Sequence, residues 1–301
     1  AHVFVTKNIG DGNAISLKSR EWNYYFPIYI YPNAKENKLF DHSDWSAGES
    51  GRVPSLDKGF VEELAGRVQL EFVSDGRGDL GIFADKPQVK PGAKYKGVDS
   101  RLRGNDIGSG EGKVGTFGPE DIFHYIYAVF HSPEYRRRYA EFLKIDFPRV
   151  PLPKGRKIFR KLCEVGRELT GLHLLEAEIL EDEDRWPSFT VKGSDSVEKG
   201  YPRYVAHAGR MPAVQDADRP DTGKVYINQD QYFEGVRPEV WEFHVGGYQV
   251  CEKWLKDRRG RKLDYADVCH YQKITVALGE TIKLMEKVDK IIDSHGGWPM
   301  G

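Results

Sequence analysis

The chain predicts an α+β fold, a loop-bearing β portion packed with a helical portion that ends in one long C-terminal helix. Three observations carry this expectation. Residues 2–9 and 24–31 are dense in β-branched and aromatic side chains, as strands are. Ile122, Tyr125, Ile126, Val129 and Phe130 recur at three- and four-residue steps, one apolar stripe of a helix. Near the end, Val268, Tyr271, Leu278, Ile282, Met285, Val288 and Ile292 keep the same step, with Thr275 filling the gap.

Taken in order, residues 1–73 read as the β-rich part, with one helix from Ser55 or Leu56 to Val68 on Phe60, Leu64 and Val68, and VQLEFV (68–73) as a following strand. Residues 74–116 are glycine-rich with little apolar content and read as a mobile surface insertion. The helical and mixed part spans 117–301. Gly118-Pro119 opens a helix with Glu120 and Asp121 in its first turn, where acids suit the dipole. Ser132-Pro133 breaks and restarts it, with Tyr135, Tyr139, Phe142 and Leu143 inward. Pro148, Pro151 and Pro153 make an extended strap. Lys154 to Thr170 is a third helix, with Ile158, Phe159, Leu162, Val165 and Leu169 inward. Short β segments follow over 187–228, then one or two helices over 239–256. Gly260 suits a left-handed turn, and Asp264 caps a closing helix that runs to about Asp293.

In 301 residues, 45 Lys and Arg against 46 Asp and Glu leave a net charge of −1, so any nucleic-acid case must rest on local clusters. Cys163, Cys251 and Cys269, odd in number and without paired spacing, suit a reducing cytoplasm. No apolar run reaches membrane-spanning length and no signal peptide opens the chain, so no membrane partner is expected. Ala1, followed at once by a strand-like HVFV, reads as the start of a piece of a longer polypeptide.

Catalytic signatures are missing. There is no Pro-Pro dipeptide of an adenine-methylating loop, no phosphate-cradling GxxxxGK[ST], no HExxH and no CxxC. Gly110, Gly112 and Gly115 fit GxGxxG, but no apolar strand precedes them. No metal site is expected. His124, His131, His173 and His244 sit in apolar surroundings and read as hydrogen-bonded core histidines.

Three clusters break the charge balance: Arg136, Arg137 and Arg138 with Lys144; Lys154, Arg156, Lys157, Arg160 and Lys161; and Lys253, Lys256, Arg258, Arg259, Arg261 and Lys262 against only Asp257. Folded together they would form a stripe fit for the phosphates of a duplex. A solvated face, with Arg136–Arg138 paired to Glu120, Asp121 or Glu134, is the plainer reading of each cluster alone. Among the aromatics, Trp22 in a polar stretch is the one suited to touch DNA; Tyr24, Tyr25, Phe26, Tyr29 and Tyr31 at strand spacing read as core.

The run FGPEDIFHYIYAVFHSPEYRRRYAEFLKIDFPRVPLP (117–153), GLHLLE (171–176), KVYINQDQYFEGV (224–236) and PEVWEFHVGGYQVCEKWLKDRRGRK (238–262), with VFVTKNI (3–9) and YYFPIYIYP (24–32), resembles the C-terminal specificity region of type ISP restriction-modification enzymes. That resemblance implies a non-catalytic target-recognition module for double-stranded DNA, working with methyltransferase and motor domains of the same polypeptide, in the cytoplasm. S-adenosylmethionine, ATP and Mg²⁺ would be held outside this chain, with no cofactor in it. Phosphates would be met by the 154–161 and 253–262 bases and by Arg136; Lys18, Arg20, Asn23 and Arg149 are the candidates for reading bases. Two rivals stand beside this reading: a docking module without DNA contact, and an enzyme with an unfamiliar site around His244, Cys251 and Asp257.

Overall fold

The computed structural model describes residues 26–31, 45, 50–81, 114–207 and 222–300. In the first part, β1 (Tyr29–Ile30) pairs antiparallel with β2 (Val53–Pro54). Helix α1 (Lys58–Val68) begins where the Asp57 carboxylate accepts from Phe60 N–H at 2.7 Å. Its buried stripe is Val61, Leu64 and Val68, with Phe60 only partly covered.

Strand β3 (Glu71–Phe72) lies parallel to β4 (Thr116–Phe117), which places both ends of the glycine-rich stretch inside the fold. Leu80 is buried and its N–H donates to Thr116 O at 2.8 Å, while Thr116 N–H donates to Asp79 Oδ1 at 2.7 Å. Residues 74–81 and 114–116 therefore belong to the folded body, contrary to the expectation of a surface insertion; residues 82–113 lie outside the described residues. Asp121 adds a further tie. Burial pushes its carboxyl up, opposed by the N–H groups of Gly78 and Gly118, which donate to Oδ2 at 2.7 and 2.9 Å.

Helix α2 (Pro119–Phe130) breaks before α3 (Pro133–Arg138), and a single turn, α4 (Phe142–Ile145), follows. Ser132 Oγ accepts from Tyr135 N–H at 2.9 Å, as the cap reading requires, and its own hydroxyl donates to Asp289. The proline strap is held by tyrosines: Tyr125 donates to Pro151 O at 2.6 Å and Tyr135 to Arg149 O at 2.8 Å. Tyr135 is buried as expected, but Phe142 is 67% exposed, because α4 turns its ring away from the body.

Helix α5 (Arg156–His173) buries Ile158, Phe159, Leu162, Val165 and Leu169. It crosses α2 so closely that a Cβ on Gly166 would lie 1.8 Å from His124 O, so only glycine fits. After two 3-10 turns, Glu178–Glu181 and Glu183–Arg185, come β5 (Ser188–Phe189), β6 (Arg203–Ala206), β7 (Gly223–Tyr226) and β8 (Tyr232–Val236). They form one antiparallel sheet in the order β5-β8-β7-β6. Alternation sends Phe189, Tyr204, Val225 and Phe233 to the core and Arg203, Val205, Lys224, Tyr226, Tyr232 and Glu234 to the other face.

Helix α6 (Pro238–Trp241), the hairpin β9 (His244–Val245) and β10 (Tyr248–Gln249), and helix α7 (Val250–Lys256) lead to a turn where Gly260 has φ +74°. His244 lies on the hairpin and is exposed, unlike the core histidine expected. The closing helix α8 (Tyr265–Asp293) starts at an Asp264 cap, whose Oδ1 accepts from Asp267 N–H at 2.8 Å. Tyr271 and Leu278 of α8 pack under the sheet, and Val288 and Ile292 join the core that α2 and α5 share with α1.

Between α2, α5 and α8 lies a buried polar chain. Tyr127 Oη and His173 Nδ1 are 2.6 Å apart, His173 Nε2 reaches Thr281 Oγ1 at 3.0 Å, and His131 Nδ1 donates to Tyr127 O at 2.7 Å. Burial, reinforced by Arg136, pushes His131 down to about 3 and His173 to about 4; burial, with Arg77 and Arg167, pushes His124 to about 4. Depressed values mean that the unfolded chain binds protons first. Stability is then complete above the unfolded value near 6.5 and falls as pH drops toward 4. Urea unfolding is expected to lose stability on the order of several kcal/mol between pH 7 and 4. His131→Gln should flatten part of that slope; an unchanged slope would contradict the assignment. Gly166→Ala is expected to cost on the order of 3 kcal/mol by forcing α2 and α5 apart, read as a lower urea midpoint at constant m.

Candidate nucleic-acid interface

The first turns of α5 carry their bases on the flank opposite the buried Ile158, Phe159 and Leu162. Lys154 and Lys157 are exposed; Arg156, Arg160 and Lys161 are half-buried. Among the described residues, Lys154, Arg156, Lys157 and Lys161 have no carboxylate partner within ion-pair distance, and the positive end of the helix dipole adds to their field. These four keep the charge that the sequence showed.

The 253–262 segment does not. Lys253 pairs with Asp257, and Lys256 with Glu252 at 2.5 Å. Arg258 and Arg261 both reach Asp267, at 3.2 and 2.6 Å, and Lys262 faces Asp195 at 3.6 Å. Partial burial opposes ionisation of Asp267, but the Arg258 bond, the Asp264 N–H and the field of Arg261 outweigh it and hold the carboxyl below its ordinary value. Arg258 also stacks over Trp254, 3.4 Å from the ring centroid. Three carboxylates from outside the segment thus offset an excess that counting along the chain had made large. Arg259 is the exception: its Nε donates to Tyr201 O at 2.6 Å and no carboxylate meets it among the described residues.

The 136–138 cluster divides three ways. Arg136 is turned inward, Nε donating to Phe130 O at 2.7 Å, and serves the polar chain around His131. Arg137 is bidentate on Glu134, at 2.7 and 2.6 Å, which is the plainer reading of that cluster. Arg138 is exposed, and Arg149, 92% exposed, stands 3.6 Å from Asp146. Lys18, Arg20, Trp22 and Asn23 lie outside the described residues.

Helices α5 and α8 run antiparallel. Lys287 reaches Glu168 at 3.3 Å, His173 meets Thr281, and the Lys154 ammonium lies beside Gly296. The 154–161 bases therefore flank the end of α8, whereas Arg258 and Arg261 are tied to Asp267 at its start. At about 1.5 Å per residue, the length of the helix puts the two clusters roughly 40 Å apart. The single continuous ridge expected from the sequence becomes two separate regions.

The rival catalytic trio is not supported by its surroundings. Cys251 is fully buried, its thiol donates to Val240 O, and burial pushes it up to about 12. His244 is exposed on the hairpin and Asp257 is engaged by Lys253. Among the described residues, no group of three or more His, Cys, Asp or Glu could hold a metal, and no helix is long and apolar enough to cross a membrane.

No curated protein matches. Among solved structures, a nuclease-deletion mutant of the type ISP restriction-modification enzyme LlaGI with a DNA substrate mimic shares 24% identity over 59% of this chain and 14% of its own, with a TM-score of 0.39. A DrdV–DNA complex shares 23% over 56% of this chain and 18% of its own, TM-score 0.40. The ATP-dependent type ISP enzyme LlaBIII bound to DNA shares 15% over 87% of this chain and 13% of its own, TM-score 0.46. This chain spans less than a fifth of each. The profile of the type ISP C-terminal specificity domain matches residues 1–287, so the chain belongs to that family.

Proposed function

We propose that this chain is the target-recognition module of a type ISP restriction-modification enzyme. It grips a short duplex DNA sequence and presents it to an adenine-N6 methyltransferase and a nuclease located outside the chain. Membership of the specificity-domain family over residues 1–287 carries this reading, and the uncompensated bases at the start of α5 are its physical support. The role assigned to the chain is holding and reading DNA. S-adenosylmethionine, ATP and Mg²⁺ belong, on this reading, to the other domains of the polypeptide, in the reducing cytoplasm that suits three free cysteines.

A second reading, a module that docks on those other domains, is favoured by one observation. Phe142, Ile145 and Phe147 are 67, 83 and 55% exposed within six residues around α4.

Fluorescence anisotropy with a mixed-sequence duplex separates the two. On the recognition reading, affinity falls steeply with salt. Replacing both Lys154 and Lys157 by Gln lowers the slope of log affinity against log salt by nearly 2, about 0.9 per lost phosphate contact, for every sequence alike. A flat salt response in the unaltered chain would favour the docking module.

A further inference from the structure

Two arginines that are distant in sequence meet at one corner of the four-stranded sheet. Arg203 opens the edge strand β6 on the face turned away from α8, and Arg259 arrives from the turn after α7. The turn and the sheet are joined by backbone: Gly260 N–H donates to Val197 O at 2.9 Å, and Glu198 N–H to Ile227 O at 2.9 Å. Between them the chain bends at Gly200, whose φ is +93°, so that two successive carbonyls accept arginine donors. Arg203 Nε donates to Gly200 O at 3.0 Å and Arg259 Nε to Tyr201 O at 2.6 Å. The Arg203 guanidinium also lies over the Tyr201 ring, 5.1 Å from its centroid.

The consequence is chemical. Each guanidinium has spent its Nε–H on the backbone, which fixes the fork and leaves the terminal N–H donors free for another acceptor. Both side chains are exposed, and among the described residues neither has a carboxylate partner. Their neighbours differ. Arg258 and Arg261 are held by Asp267, and Lys224 on the same sheet face is shared between the Tyr232 ring and Glu234. Glu198 and Lys199, exposed in the same loop, offset each other. Two pre-oriented cations without a counterion suit an acceptor that is anionic and presents paired oxygens. Tyr226, opposite Arg203 in the register, supplies a further hydroxyl on that face.

We propose that Arg203 and Arg259, set around Tyr201, form a clamp for one phosphodiester of the bound duplex. The clamp rests on the DNA reading above and adds a second contact region to that at α5. It fixes register and does not read bases.

The test uses the whole chain and the same mixed-sequence duplex, comparing Arg203→Ala/Arg259→Ala, Arg203→Lys/Arg259→Lys and Lys154→Gln/Lys157→Gln. The alanine pair is expected to weaken binding at least about tenfold, equally for all sequences, and to lower the salt slope by about 0.9, the share of one phosphate contact. The lysine pair should keep the slope, because the charges remain, but bind more weakly than the unaltered chain, because the fixed forks are gone. Should the alanine pair melt early through loss of the Tyr201 bond, Arg203→Ala alone and the lysine pair decide by the same criteria. An unchanged affinity and slope, with the α5 pair still impaired, overturns the clamp and leaves the DNA reading standing. A loss confined to some sequences overturns the phosphate assignment in favour of base contact. Absence of duplex binding by the unaltered chain removes both.

Discussion

Helix α8 closes the two larger hydrophobic cores, and its first turn settles much of the charge of the 253–262 segment. Tyr271 and Leu278 lie under the sheet and Val288 and Ile292 under the helices, so neither core is complete without it. Its start depends on the Asp264 cap, and the same turn presents Asp267 to Arg258 and Arg261. One carboxylate thus helps to begin the helix and removes two arginines from the cationic surface. Capping and charge compensation are coupled there.

That coupling changes what a count of basic residues means. An exposed pair such as Lys253 with Asp257 is worth a few tenths of a kcal/mol, and a phosphate can replace it at little cost. Asp267 is only 14% exposed, so separating it from its arginines strands a partly buried charge, a larger penalty. The order of readiness for phosphate is therefore set by partners: Lys154, Lys157, Arg203 and Arg259 first, Lys253 and Lys256 next, Arg258 and Arg261 last. On this account duplex contact begins at the start of α5 and at the sheet corner.

Much of the fold was legible. The cap at Asp264, the end of α8 at Asp293, the break at Ser132-Pro133 and the inward face of α5 follow from local chemistry that acts within a turn or two. What sequence misses is set by contacts beyond a turn or two. Asp121 stands in the first turn of α2 as its position predicts, but its bond to Gly78 spans a long stretch of chain, and Phe142 faces outward because periodicity does not show where a helix has ended. The neutralising Asp195 and Asp267 lie outside the 253–262 window, and Arg203 gave no signal because its partner in the corner is Arg259. Asp195 is remote in sequence, and Glu252 and Asp267 come into reach only through the turns of α7 and α8, so the charge surface depends on folding that composition cannot supply.

The most direct measurement places a photo-crosslinking side chain at position 157, at position 203 or at position 261 and asks which attaches to bound duplex DNA. If freedom from carboxylates decides where phosphate lands, 157 and 203 crosslink and 261 does not. Crosslinking from 261 with none from 157 would contradict the account.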